Sequence, residues 1–67
     1  MNKILSRNLR LIREHLRYSV EVISDFLNNP RYALYESGEE VDKISMSEIE
    51  NLSSLYGIEP YYLFESK

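Results

Sequence analysis

The tripeptide Asn28-Asn29-Pro30 constrains this chain more than any other stretch. Apolar residues recur at helical spacing before it, and proline stops such a run. It lacks an N–H, disfavours helical geometry in the residue before it, and fits the first position of a new helix. Residues 20–27 and the segment from Pro30 onward therefore read as two separate short helices joined by a tight turn. A chain of 67 residues leaves room for one small core. At that size only about 60% of the unfolded-state surface is buried.

The same period continues on both sides of the break. Leu5, Leu9, Ile12 and Leu16 are spaced four, three and four, which predicts a helix from roughly Ser6 to Arg17, with Leu11 widening its apolar stripe. Arg10, Arg13 and Arg17 form a basic flank beside that stripe. Ser19 is suited to cap a second helix from about Val20 to Leu27, whose apolar residues are Val20, Ile23 and Leu27 with Val22 and Phe26 alongside. Asn29 is then the cap of a third helix from Pro30 to Ser37, stopped by Gly38. Glu39 to Ile44 has no periodicity and reads as a charged connection. Ser45 to Glu48 and Ser47 to Glu50 both fit the capping-box spacing and predict a fourth helix. Its buried face is Met46, Ile49, Leu52 and Tyr56 or Leu55, and Gly57 closes it. Glu59-Pro60 opens a last short helix that places Leu63 and Phe64, after Ile58, against the core. The expectation is all-α, a compact bundle of five helices in a single domain over residues 1–67.

Composition narrows the chemistry. There is no cysteine and one histidine, so neither a disulfide framework nor a thiolate or multi-histidine metal site is available. No histidine pair or glycine-rich phosphate loop is present, and the reading is of a protein that is not an enzyme and uses no cofactor. Glu36, Glu39, Glu40 and Asp42 lack the spacing of a calcium loop and read as a solvated charge run. His15, between Glu14 and Leu16, reads as a surface residue. No run of eighteen apolar residues is found, and charge interrupts the start too early for a secretory signal. A cytoplasmic location with no membrane partner is expected.

The net charge of −3 hides an asymmetry. Residues 1–35 carry Lys3, Arg7, Arg10, Arg13, Arg17 and Arg31 against Glu14, Glu21 and Asp25, a net of +3. Residues 36–67 carry Lys43 and Lys67 against eight carboxylates, a net of −6.

Several segments together resemble the Xre/Cro-type helix-turn-helix domains of phage repressors. They are Leu9-Arg10-Leu11-Ile12-Arg13, Tyr18-Ser19 with Glu21, Tyr35-Glu36-Ser37-Gly38, and Ser47 to Leu52 continuing into Leu55-Tyr56-Gly57-Ile58-Glu59-Pro60-Tyr61-Tyr62-Leu63-Phe64. The resemblance covers roughly Asn8 to Phe64 and implies a lambda-repressor-like fold. It also implies a structural ion pair between Arg13 and Glu36. Aligned from Ser19, the segment up to Gly38 is two residues shorter than the family pattern and the stretch from Gly38 to Gly57 two longer. Either the turn is contracted or the third helix is offset.

The resemblance further implies a transcriptional regulator that binds double-stranded operator DNA through the third helix. A monomer would bind weakly, so a homodimer is expected. Asn28, Asn29, Arg31, Tyr32 and Tyr35 would touch bases or adjacent phosphates, and Ser19 with the amide end of the second helix would anchor the backbone. The family's phosphate-anchor position is Val20, which donates no hydrogen bond. The alternative is an anti-repressor or antitoxin-like domain that binds a protein partner through Val20, Tyr32 and Tyr35. Leu34 or Tyr32 faces inward, according to the register of the third helix. Tyr61 and Tyr62 offer a second candidate contact, for a dimer.

Overall fold

A computed structural model describes residues 3–66. Four α-helices form: α1 (Lys3–His15), α2 (Val20–Leu27), α3 (Tyr32–Ser37) and α4 (Met46–Tyr56). Two 3-10 turns, Val41–Lys43 and Pro60–Phe64, complete the path, so the fifth element expected as a helix is a 3-10 turn. No strand occurs among the described residues, and no helix there is long and apolar enough to cross a membrane.

Local chemistry sets the helix ends. Ser19 accepts the Val22 amide at 3.1 Å and starts α2. Ser45 starts α4 with a complete capping box: its hydroxyl accepts the Glu48 amide at 3.0 Å, and the Glu48 carboxylate accepts the Ser45 amide at 3.1 Å. Ser45, not Ser47, is therefore the cap. All four helices end in a left-handed residue, α3 at Gly38 with φ of 90°. Arg17, Asn28 and Gly57 have φ of 65°, 53° and 72°. At each of these three the amide of that residue and the next bond back to carbonyls of the last turn, as in Tyr18 to Arg13 and Asn29 to Ser24.

α1 packs against α3 and the C-terminal 3-10 turn, while α2 packs against α3 and α4. The core is Leu5, Leu9, Ile23, Tyr32, Tyr35, Val41, Ile49, Leu52, Tyr56 and Leu63. Several expectations are corrected here. α1 ends at His15 because the left-handed Arg17 breaks it, and Leu11 and Leu16 lie exposed. α3 begins at Tyr32 and not Pro30, because the Asn29 side chain bonds the Arg31 amide at 3.0 Å and holds residues 29–31 in a turn. Met46 and Phe64, assigned to the core, are exposed. The supposedly aperiodic connection supplies a core residue, Val41.

Two buried polar side chains, Ser6 and Asn8, find partners at long range. Ser6 Oγ donates to the Tyr35 carbonyl at 2.6 Å. Asn8 Nδ2 donates to the Leu63 and Glu65 carbonyls at 2.9 and 2.8 Å, which fastens the C-terminal 3-10 turn to α1. The hydroxyls of Tyr32 and Tyr56 are buried and outside hydrogen-bonding geometry.

Candidate functional site

The four residues between α2 and α3, numbers 28–31, are held from three sides. Asn29 Oδ1 accepts the Arg31 amide, while Asn29 Nδ2 donates to the Tyr35 hydroxyl and to Glu48 Oε2, each at 2.9 Å. The Tyr35 hydroxyl donates to Glu48 Oε1 at 2.8 Å. One carboxylate at the start of α4 thus fixes both the turn and α3. Burial pushes the Glu48 carboxyl up, but the bonds from Asn29, the Ser45 amide and Tyr35 outweigh it and hold it below the usual carboxylate range. Burial, aided by Glu48, pushes the Tyr35 hydroxyl up to about 12. The sequence marked Glu48 only as a capping residue; its partners lie 13 and 19 positions away.

Arg13 and Glu36 form the expected pair. Arg13 Nε and Nη2 donate to the two Glu36 oxygens at 2.6 and 2.9 Å, and Nη1 donates to the Tyr18 carbonyl at 2.9 Å. The side chains are 12% and 8% exposed, so the pair ties α1 to the end of α3 in a largely dry setting. The Glu36 hydrogen bonds raise the Arg13 pKa above its ordinary value.

The expected DNA-contacting set divides into residues that reach the surface and residues that do not. Tyr32 is 0% and Tyr35 5% exposed, so neither ring reaches a base edge or a partner protein, and both assignments are corrected. They face inward because α3 packs on α1 and α2 at once, and their rings meet edge to face at 6.1 Å. Leu34 is half-buried beside them. Asn29 is spent on the turn. Ser19 is exposed but occupied as a cap. Asn28 is exposed, as are Pro30, Arg31 and Ala33. Arg31 projects with 62% of its side chain exposed, and its guanidinium meets Glu40 through two nitrogens, Nε at 2.9 Å and Nη2. That contact raises the Arg31 pKa and lowers that of Glu40.

Beside this turn lies a hollow of about 660 Å³ lined by Val20, Glu21, Ser24, Asp25, Asn28, Asn29 and Pro30. It contains two carboxylates and no cation. A second concavity, about 670 Å³, runs between α1 and the C-terminal segment. Its walls include Arg7, Leu11, His15, Leu16, Ile58 and Tyr62. No group of three or more acidic, histidine or cysteine side chains suited to a metal ion exists among the described residues. Comparison with protein-family models, curated proteins and solved structures finds no match to the chain.

Proposed function

We propose that the chain is a small helix-turn-helix regulatory domain, similar in plan to the Xre/Cro type, whose α2 and following turn bind a protein partner. The observation that carries this reading is the hollow beside the turn, lined by Glu21, Asp25 and the half-buried Val20, with no cation in its lining. A phosphodiester brought there meets like charge and no side-chain donor at Val20. A basic segment with an apolar side chain finds both complementary charge and apolar lining in Val20 and Pro30.

Operator DNA bound by a dimer is the second reading, and Arg31 is its support. The Arg31 side chain is 62% exposed, so a backbone phosphate can compete for the guanidinium fork that Glu40, itself only 17% exposed, now holds. Arg10, Arg17 and Lys43 are exposed as further phosphate contacts.

Fluorescence anisotropy with two probes, a labelled duplex and a labelled peptide alternating arginine and leucine, separates the readings. The protein-binding reading expects the peptide to bind, Asp25→Lys to weaken it, and the duplex to bind negligibly at physiological salt. Duplex binding that falls steeply with salt and is weakened by Arg31→Ala overturns it in favour of DNA.

A further inference from the structure

α2 carries two rows that the fold does not use. Val22 and Phe26, four residues apart, are 49% and 47% exposed, while their neighbours Ile23 and Leu27 turn inward. Glu21 and Asp25 run alongside with the same spacing and are exposed. The helix is therefore an apolar ridge with an acidic edge, and it contains no cation. α1 is its counterpart. Arg7, Leu11 and His15 recur every four residues along one wall of the groove against the C-terminal segment, and Leu16 and Tyr62 widen its apolar floor. Across the helix, the exposed Lys3, Arg7 and Arg10 stand against Glu14, and one carboxylate, Glu65, lines the groove itself.

The two surfaces set opposite charge beside exposed apolar side chains. They belong to separate helices, so one copy can offer both at once. We propose that the chain self-associates by seating the Val22–Phe26 ridge of α2 in the Arg7–Leu11–His15 groove of a second copy. Glu21 and Asp25 then face the basic side of the partner's α1. This rests on the reading of α2 as a protein-binding element and names its partner as the chain itself.

Complementation tests it. Phe26→Lys disables the ridge and Leu11→Glu the groove; each position is nearly half exposed, so the fold is retained, as circular dichroism would verify. Val22→Lys and Leu16→Glu serve as a second pair. Sedimentation equilibrium on the wild type up to about 1 mM, a range suited to small interfaces, is expected to show mass rising above the monomer. Each single variant should lose association by about tenfold or more. An equimolar mixture of the two should associate again, because one copy keeps the ridge and the other keeps the groove. Three outcomes overturn the proposal: a wild type that stays monomeric, single variants that associate as the wild type does, or a mixture no better than its components. If self-association fails while the arginine–leucine peptide still binds, only this proposal falls. If both fail, the protein-binding reading falls with it.

Discussion

Arg13–Glu36 and Arg31–Glu40 are two pairs of the same forked chemistry, one at each end of α3, and they do different work. Arg13 and Glu36 are largely removed from water, with a third bond from the guanidinium to the Tyr18 carbonyl. Arg31 stands in solvent at 62% exposure, although two bonds join it to Glu40, whose side chain is 17% exposed. Identical residue types thus supply structural orientation in one place and exchangeable charge in the other. Burial decides which, because desolvation makes a stranded charge costly only where water cannot return.

Removing one partner of the inner pair tests this most severely. Arg13→Ala should destabilise the fold by about 3 kcal/mol in urea unfolding, the lower end of the range for buried pairs, since each side chain keeps slight exposure. The double change Arg13→Met with Glu36→Leu should recover most of that loss. If it does not, the pair contributes more than the avoidance of a stranded charge.

Glu48→Gln comes next, at about 1 kcal/mol, because it weakens bonds to a charged acceptor at the turn. Its pH signature is specific. The folded-state pKa of Glu48 lies below the unfolded one, so its stabilisation is present above about pH 4.3 and lost as pH falls through the folded value. The variant should therefore show a flatter acid limb. Tyr56→Phe should lie within about 0.5 kcal/mol of the wild type, since its buried hydroxyl makes no hydrogen bond of good geometry. Smallest of all is Glu40→Gln, for which the thermal midpoint should not move measurably, whereas any affinity for duplex DNA should rise.

Much of the plan was legible along the chain. Ser19 and the break at Asn28-Asn29-Pro30 are local signals, and local capping decides where α2 starts and stops. The Arg13–Glu36 pair came from resemblance to a family pattern, and the gapped alignment that matched these two positions agrees with the observed contact. What could not be read is which flank of an amphipathic helix faces the core. Leu11, Leu16, Val22, Phe26 and Met46 obey helical spacing as well as Leu9 or Ile23 do, and only the placement of neighbouring helices leaves them outside. The start of α3 was misplaced for a different reason. Pro30 is compatible with a helix, but Asn29 bonds the Arg31 amide and is itself held by Glu48 on another element. The candidate site suffered most. Tyr32 and Tyr35 look like an aromatic recognition face in one dimension, yet a six-residue helix packed on two others spends both inward.

The Asn8 side chain has a kinetic consequence. Its acceptors stand 55 and 57 residues away, whereas the helix caps join residues three to five apart. Local caps can form early in folding, but this clasp closes only once the chain between is nearly in place. Its loss belongs to the far side of the transition state. Asn8→Ala should therefore raise the unfolding arm of a chevron and leave the folding arm where it was, opening the molecule more often without slowing its assembly.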